Sequence, residues 1–495
     1  MRMQLDRESP TPIHLQIANG IREQILTGAI PEDRRLPPTR RLAAELGVNR
    51  STVVQAYQRL WSEGLVEGRV GSGTVVRLPA GEKRRAVAPP PWSMLLGARV
   101  GGHDAESGEL FRLFAREDLV SLAAGLPAPH LYPMEDLREA ANAAFAEEGR
   151  AALHWCPAEG YPPLRRLAAE RLDGLDPAAT MILAGSTQGL FLVSALFIDP
   201  GDFVVVESPT YLGALQIFRD AGARVIGVPV AEDGIDLEML GEVLARTQPK
   251  FIYTVPTFQN PTGVTMSLGK RRALLELAYR YRVPVVEDDP YTPLRYDGGA
   301  VPSLKALDTH GYVIYLTTFS KILVSGLRVG VLGAPRRLME PMVAAKYRLD
   351  LFTGALSQAM VQRFWSGGAL DRHIDRVRVE YRANREAMAD ALRRHCPTIR
   401  FSVPEGGFFI WGRLPREVGA RRLLREALDR KVMILSGEIF HPDGRGHDRV
   451  RLSFTGETPE RLREGVRRLG DALRRVERGA PSPDAVEEAT TKPIL

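Results

Sequence analysis

A chain of 495 residues with 44% hydrophobic and 25% charged residues has room for roughly two to four globular domains, and its net charge of +6 permits nucleic-acid binding without establishing it. No run of about 18 apolar residues occurs and the N-terminus lacks an apolar signal segment, so neither a membrane span nor secretion is expected. Its two cysteines have no metal-ligand spacing, which favours a reduced, cytoplasmic protein without disulfides or bound metal.

Residues 1–78 are predicted to form three helices and a hairpin. Ile13, Ile17, Ile21 and Ile25 recur every four residues, as on one face of a helix. The run TRRLAAELG ends at a glycine typical of a helix C-cap, VNRSTVVQAYQRLWSEG gives the third helix, and LVEGRVGSGTVVRL alternates around GSG as a hairpin does.

Two short helices joined by a turn, the second opening on Arg50, Ser51 and Thr52, are typical of a helix-turn-helix. In such a unit the N-terminal end of the second helix meets base edges in the major groove of DNA. On spacing alone, a small helical domain without a DNA function explains the pattern equally well.

Beyond the first unit the composition changes. Residues 79–117 are predicted to form a linker, since PAGEKRRAVAPPPWS is rich in Pro, Ala and charge. Over residues 118–478, short β-rich runs such as DFVVVES, FIYTVP and YVIYLTTFS alternate with helix-length segments, which predicts a mostly parallel α/β sheet covered by helices. A smaller α+β subdomain is expected over about 367–478, and a disordered polar tail over 479–495.

Lysine is scarce, with eight lysines among the 66 basic residues, so few side chains can bond covalently to an aldehyde cofactor. Lys321 directly follows an apolar run in TTFSKILVSGLRVG. Thr318, Ser320 and Arg328 lie close by in the sequence and are suitable donors to a phosphate. Other lysines, such as Lys270, stand in polar, surface-like contexts.

Several polar residues stand where buried strands are predicted to end. Asp288 closes the run VPVVEDD, with Tyr291 three residues later, and ligands of open α/β sheets bind at the carboxyl ends of strands. Asn260 lies in QNPTG, directly after FIYTVP. Asp288 is equally interpretable as a turn or N-cap residue, and Asn260 as ordinary turn chemistry.

Other residues have two interpretations as well. Gly185, Ser186 and Thr187 precede an apolar helix, whose free amides can bind phosphate or simply be capped. Tyr211 can stack on a ligand ring or fill core. Arg451 in DRVRLSF can hold a substrate carboxylate or form a structural ion pair.

The run RRLPPTRRLAAELGVNRSTVVQAYQRLWSEGLVEGRVGSGTVV resembles the winged helix-turn-helix of the GntR family almost continuously. This resemblance implies binding to double-stranded operator DNA. The residues it implicates are Arg40, Arg50, Ser51 and Thr52 from the helices and Gly71 and Ser72 from the wing. Val54 stands where some members have a second arginine.

Residues from about 119 to 473 resemble fold-type I aminotransferases, through GLPAPHLYP, CPAEGYPPLR, ESPTY, NPTG, EDDPY, SK…GLRVG and RLSF. The resemblance implies pyridoxal phosphate as cofactor, bound as a Schiff base to Lys321 with Asp288 on its pyridine nitrogen. It implies that Asn260 and Tyr291 donate hydrogen bonds to the phenolic oxygen, that Tyr211 stacks on the ring, and that Arg451 binds the α-carboxylate of a substrate. The residues implied to bind the phosphate are Gly185, Ser186, Thr187, Thr318, Ser320 and Arg328. Trp155 and Ser325 depart from the usual tyrosine and proline of relatives.

The two resemblances together identify the chain as a member of the MocR/GabR subfamily. They imply a homodimeric transcriptional regulator that binds pyridoxal phosphate and an amino acid or amine effector as an aldimine. Two alternatives stay open: an active aminotransferase with an appended DNA-binding domain, because the catalytic set is complete, and a catalytically inactive scaffold that senses only the cofactor.

Overall fold

The computed structural model describes residues 5–7, 9, 11–69, 73–77, 112, 113, 116 and 118–479. These residues fall into two compact units, the first reaching residue 77 and the second beginning at residue 112. The first unit comprises α1 (Ile13–Leu26), α2 (Thr39–Leu46), α3 (Arg50–Ser62), β1 (Val66–Arg69) and β2 (Gly73–Val76).

The first unit folds around one small apolar core. The stripe of α1 that includes Ile17 and Ile21 is buried against Val53 and Leu60 of α3, as the four-residue spacing predicts. The α2 helix ends at Gly47 in the left-handed conformation, which glycine adopts without steric cost. The predicted hairpin is confirmed as the antiparallel pair β1–β2; its tip, residues 70–72, lies outside the described residues.

The second unit contains fourteen strands among its described residues. They are β3 (Val120–Ser121), β4 (Thr180–Leu183), β5 (Phe203–Ser208), β6 (Arg224–Ala231), β7 (Gly234–Ile235), β8 (Ile252–Thr254), β9 (Val285–Asp288), β10 (Val313–Thr318), β11 (Gly330–Gly333), β12 (Arg400–Phe401), β13 (Phe409–Arg413), β14 (Val432–Met433), β15 (Leu435–Ser436) and β16 (Arg449–Ser453).

Helices cover these strands. Their bounds are Met134–Glu148, Pro162–Arg171, Ser186–Phe197, Leu212–Asp220, Leu237–Arg246, Leu268–Tyr281, Leu304–Leu307, Met339–Asp350, Ala355–Ser366, Ala369–His395, Ala420–Asp429 and Pro459–Glu477.

The main sheet has the order β4-β11-β10-β9-β8-β5-β6-β7. The central strands β10, β9, β8, β5 and β6 are parallel, whereas β11 is antiparallel to both of its neighbours. The runs predicted as buried strands thus form the mostly parallel sheet expected from the sequence. The eighth strand, β7, is a two-residue hairpin return on the edge of β6, and the other seven make up the predicted seven-stranded type.

The smaller subdomain is built on an antiparallel sheet of order β12-β13-β16-β15. Helices Ala369–His395 and Pro459–Glu477 lie beside it and share one core with its strands. This confirms the α+β character predicted for the end of the chain. The predicted linker over 79–117 lies, apart from residues 112, 113 and 116, outside the described residues, as does the tail from residue 480.

Among the residues described, no helix combines the length and apolar character that crossing a membrane requires. In the same part of the chain, no three His, Cys, Asp or Glu side chains lie where they could share a metal ion.

Candidate functional site

The site lies at the carboxyl edge of the main sheet. Because the central strands are parallel, the segments that follow β5, β8, β9 and β10 all emerge at this edge. Those segments carry Tyr211, Asn260, Tyr291 and Lys321, respectively. Residues dispersed over more than one hundred positions are therefore brought to one region by topology.

Lys321 is enclosed, with its ammonium nitrogen donating to the carbonyl of Gly125 at 2.7 Å. Burial, together with the positive charge of Arg451, lowers the pKa of Lys321 to about 8, and the carboxylate of Asp288 opposes part of this shift. A lysine with a depressed pKa carries a larger fraction of neutral amine at physiological pH, which is the form that attacks an aldehyde.

Asp288 ends β9 and is 3% exposed. Its Oδ2 accepts a hydrogen bond from the hydroxyl of Tyr253 at 2.9 Å, and its Oδ1 has no partner among the described residues. Burial raises the pKa of Asp288 to about 7. A buried carboxylate oxygen without a partner is costly, and it fits a ligand that carries a cationic N–H group.

Arg451, on β16, is held between two aromatic rings. Its guanidinium carbon lies 4.1 Å from the ring centre of Phe409 and 4.9 Å from that of Phe440. One terminal nitrogen, Nη1, donates to Asn260 Oδ1 at 2.9 Å, and the other donates to the carbonyl of Ala123 at 2.7 Å. Burial lowers the pKa of Arg451 to about 10, so the side chain remains a cation at neutral pH.

A group of donors faces the turn between β4 and helix Ser186–Phe197. Arg328 Nη1 donates to Ser320 Oγ at 3.2 Å and Arg328 Nη2 to the carbonyl of Ala184 at 3.0 Å. Thr318 Oγ1 donates to Ser320 Oγ at 3.0 Å. The turn passes through Gly185 at φ +92°, where a Cβ atom would meet Arg328 at 2.6 Å.

Arg328, Ser320, Thr318 and the turn at Gly185 form a group of donors, the phosphate cradle, that suits a phosphate. Ser186 and Thr187 open the helix, so its first amide groups and its dipole face the same turn as the Arg328 guanidinium. The hydroxyl of Tyr211 is hydrogen-bonded to the side chain of Thr187, and Tyr211 interacts electrostatically with Asp288. Tyr211 is therefore close both to the helix start that carries Thr187 and to the carboxylate of Asp288.

Tyr291 is 2% exposed and interacts electrostatically with Arg451, Tyr211 and Asp288. Burial raises its pKa, so the phenol stays protonated and is available to donate a hydrogen bond to a ligand. The structure thus brings together every site residue predicted in the second unit. Pyridoxal phosphate fits them: the open Asp288 oxygen suits its pyridinium, the Gly185 turn its phosphate, and Lys321 its aldehyde.

In the first unit, Asn49 caps α3 by accepting a hydrogen bond from the amide of Ser51 at 3.3 Å. The predicted DNA-contacting residues Arg40, Arg50 and Ser51 are exposed, and Thr52 is half-buried. An exposed, polar N-terminal end of the second helix is the arrangement that a major groove accepts. Gly71 and Ser72, predicted to contact DNA from the wing, lie outside the described residues.

The groups that support these side chains are not predicted from the sequence. Tyr253 was assigned only to a strand, although its position next to Thr254 in a buried run signals a hydroxyl that needs a partner. No pattern in the sequence links Phe409 or Phe440 to Arg451. Phe409 lies on a different strand, β13, and Phe440 lies eleven positions before Arg451. The carbonyl groups of Ala123 and Gly125 have no side-chain signature at all.

The family model for aminotransferases of class I and II matches residues 117–469 of the chain, and that for the gntR family of bacterial regulatory proteins matches residues 13–76. A 2-aminoadipate transaminase of Thermus thermophilus is 42% identical over 391 residues, which cover 78% of this chain and 98% of the relative.

A protein of Rhizobium meliloti, described as a probable rhizopine catabolism regulatory protein MocR, is 30% identical over 508 residues that cover 99% of each chain. Among solved structures, the α-aminoadipate aminotransferase LysN of Thermus thermophilus, complexed with N-(5'-phosphopyridoxyl)-L-leucine, aligns with a TM-score of 0.75. It is 39% identical and covers 79% of this chain and 100% of its own. The regulator is similar along both units, whereas the aminotransferases match the second unit.

Proposed function

This chain belongs to the aminotransferase class I and II family and carries a GntR-family domain before it, and on that premise we propose that it is a MocR-type transcriptional regulator. The first unit binds double-stranded operator DNA, and the second binds pyridoxal phosphate. The observation that carries the proposal is one chain that joins an exposed helix-turn-helix to a buried lysine facing an unpartnered aspartate oxygen. A DNA-binding role implies a cytoplasmic location.

Pyridoxal phosphate supplies an aldehyde for amines and an electron-withdrawing ring. In our proposal Lys321 anchors it covalently, and Asp288 keeps a proton on the pyridine nitrogen. The remaining roles are divided among phosphate binding by Gly185, Ser186, Thr187, Thr318, Ser320 and Arg328, ring contact by Tyr211, and hydrogen bonding to the phenolic oxygen by Asn260 and Tyr291.

Arg451 is the binding group for an effector. Its side chain is buried, and its Nε has no hydrogen-bond partner among the described residues. A carboxylate that accepts from the open Nε, while Nη1 keeps its bond to Asn260 Oδ1, gains a charge-assisted pair in a dry environment. We therefore propose an amino acid as the effector, with an amine lacking a carboxylate as the weaker binder. The effector acts by changing the affinity of the protein for its operator.

A homodimer belongs to the same proposal. The second unit exposes apolar side chains on two segments, Leu153 and Trp155 on one and Tyr347, Leu349 and Leu351 on the other, each between 43% and 72% exposed. The rings of Trp155 and Tyr347 lie 6.3 Å apart and join the two segments into what we call the exposed apolar face. Such clusters mark interaction surfaces, because leaving them in water costs about 25 cal/mol per Å². Asp350, between Leu349 and Leu351 in sequence, accepts a hydrogen bond from Gln188, which lies near the phosphate-binding turn. We assign the face to a second copy of the chain.

The first experiment is a visible absorption spectrum of cofactor-loaded protein, titrated with a panel of amino acids and amines while keto acid is assayed. A regulator is expected to show a stable spectral change without stoichiometric keto acid. Lys321→Ala is expected to lose the visible absorption of covalently bound cofactor, whereas Lys250→Ala, which removes a surface ion pair with Asp202, retains it. Retention of that absorption in Lys321→Ala contradicts the assignment of the lysine.

DNA binding is tested by selecting sequences from a random duplex library with the full-length, cofactor-loaded protein. Enrichment of a recurring sequence that Arg50→Ala abolishes supports the proposal. Loss of affinity as salt rises is expected as well, because phosphate contacts release counterions. Failure to enrich any sequence contradicts a regulatory role.

A second function, transamination, is favoured by one observation: Lys321, Asp288, Tyr291, Asn260 and Arg451 are all present and meet in one site. Lys321 is suited to move protons once an amino compound has replaced it on the cofactor. The same titration distinguishes the functions, because one equivalent of keto acid with loss of the visible band means that the amino group has passed to the cofactor.

A further inference from the structure

Glu207, at the end of β5, is a buried carboxylate that takes no part in the proposed binding of cofactor or effector. It is 1% exposed, and no cation pairs with it among the described residues. Its Oε1 accepts a hydrogen bond from Thr254 Oγ1 at 2.6 Å. Its Oε2 accepts from the amide of Val255 at 3.0 Å and from Gln259 Nε2 at 3.2 Å. Burial raises the pKa of Glu207 to about 7, although the three hydrogen bonds act in the opposite direction. The same three donors offset the cost of burying the carboxylate.

The three donors belong to the segment that precedes Asn260. Gln259 also donates from Nε2 to the carbonyl of Pro209 at 2.7 Å, and its Oε1 accepts from the amide and the hydroxyl of Thr262 at 2.9 and 2.7 Å. Each hydrogen-bonding group of the Gln259 side chain is therefore engaged. The loop that carries Asn260 is tied by this one side chain to Glu207 and to the loop after β5.

Two of the four groups that contact Arg451, Asn260 and Phe440, are linked to these two loops. Asn260, next to Gln259, accepts from Arg451 Nη1. The amide of Thr210, next to Pro209, donates to the carbonyl of Phe440 at 2.9 Å, and the Phe440 ring lies over the guanidinium. Two short paths thus lead from Glu207 to Arg451, one through each loop.

We propose that Glu207 is a positioning residue, which acts through Gln259, Asn260 and Phe440 to orient Arg451 for a ligand carboxylate. This inference rests on the carboxylate-binding role proposed for Arg451. Because Arg451 lowers the pKa of Lys321, its displacement is also felt at the lysine that holds the cofactor. A role confined to stability moves neither property.

The test uses full-length, cofactor-loaded protein and two readouts. The first is the pH midpoint of the visible absorption of the Lys321-bound cofactor, without any ligand. The second is the affinity for L-2-aminoadipate, titrated by the same absorption. Glu207→Ala is expected to raise the midpoint by about half a pH unit or more and to weaken affinity about tenfold, as expected for a misaligned charge-assisted hydrogen bond.

Glu207→Gln is the conservative rescue. Its amide oxygen can accept from Val255 and Gln259, and its amide nitrogen can donate to Thr254 Oγ1, which also accepts. Both readouts are expected to return close to wild type. Should Glu207→Ala fail to fold, Gln259→Met cuts the link to Asn260 while leaving Glu207 with two donors, and the same shifts are expected.

Asp308→Ala is the matched control for stability. Asp308 accepts hydrogen bonds from the amides of His310, Gly311, Tyr312 and Val313, far in sequence from both loops, and its loss is expected to lower Tm without moving either readout. An unchanged midpoint in both Glu207→Ala and Gln259→Met overturns the inference. Arg451→Gln separates the two hypotheses: if it leaves midpoint and affinity unchanged, the proposed role of Arg451 fails as well.

Discussion

Asp288 and Lys321 are both enclosed in the protein, and burial shifts their pKa values in opposite directions, to about 7 and about 8. An aspartate in the unfolded chain has a pKa of about 3.9. Between the unfolded pKa and the folded pKa of about 7, the folded chain keeps a proton on Asp288 that the unfolded chain has lost, so a rise in pH favours unfolding. For Lys321 the corresponding pH range begins at about 8. In that range the unfolded chain holds a proton that the folded chain has lost, so the free energy of unfolding rises with pH.

We therefore expect the Tm of the cofactor-free protein to fall between pH 5 and 7, with Asp288 contributing about 1.4 kcal/mol per pH unit. Glu207 and Glu287, whose pKa values burial also raises to about 7, add to the slope. Asp288→Asn is expected to flatten the dependence measured by thermal denaturation, whereas Asp220→Asn at an exposed position leaves it unchanged. An identical slope in Asp288→Asn and wild type contradicts this assignment.

At the scale of single elements, the turn that opens helix Ser186–Phe197 depends on Gly185. Alanine there meets Arg328 at 2.6 Å in addition to the strain of φ +92°. Because the displaced guanidinium leaves the phosphate cradle, Gly185→Ala is expected to weaken the affinity for pyridoxal phosphate by tenfold or more, measured by equilibrium titration.

Gly201→Ala is the matched control. Its φ is +97°, and an added Cβ meets nothing within 4 Å, so it imposes similar backbone strain of about 1 kcal/mol without a clash. Its cofactor affinity is expected to stay at the wild-type value. Equal losses in the two variants would show that strain, and not the Arg328 contact, matters.

The N-cap of α3 offers a second test at this scale. Asn49→Ala removes the hydrogen bond to the Ser51 amide, which typically costs about 1 kcal/mol of helix stability. Since the frayed turn carries Arg50 and Ser51, the affinity for a selected operator is expected to fall several-fold in a fluorescence anisotropy titration. Ser267→Ala deletes a similar cap in the second unit, on the amide of Lys270, and is expected to leave DNA affinity intact.

At the scale of the whole molecule, the exposed apolar face predicts assembly. Trp155 is 55% exposed and its ring lies 5.0 Å from that of Phe352 and 6.3 Å from that of Tyr347. A charge placed in the centre of an apolar interface is strongly unfavourable. Trp155→Glu is therefore expected to convert a dimer to a monomer in size-exclusion chromatography with light scattering.

Loss of the dimer is expected to reduce operator affinity as well, because two linked DNA-binding domains bind paired half-sites more tightly than a single domain binds one half-site. Val379→Glu is the control, since Val379 is 69% exposed on helix Ala369–His395 and lies outside the face. A monomeric wild type, or a Trp155→Glu variant that stays dimeric, contradicts the assignment of the face.

The sequence by itself determined what is local or periodic. Hydrophobic spacing predicted α1, because the period of the side chains follows the backbone geometry. Short β-rich apolar runs predicted strands β5, β8, β9 and β10. The scarcity of lysine singled out Lys321, and the two family resemblances supplied the roles of its companions, including Asp288 and Arg451.

Tertiary structure alone decided how those residues are supported. The link from Glu207 to Gln259, the hydroxyl of Tyr253 on Asp288 and the two rings around Arg451 join residues separated by 11 to 52 positions. Backbone carbonyls such as that of Gly125 carry no residue signature. Such contacts arise only where strand order brings distant loops to one edge, and no pattern along the chain encodes strand order directly.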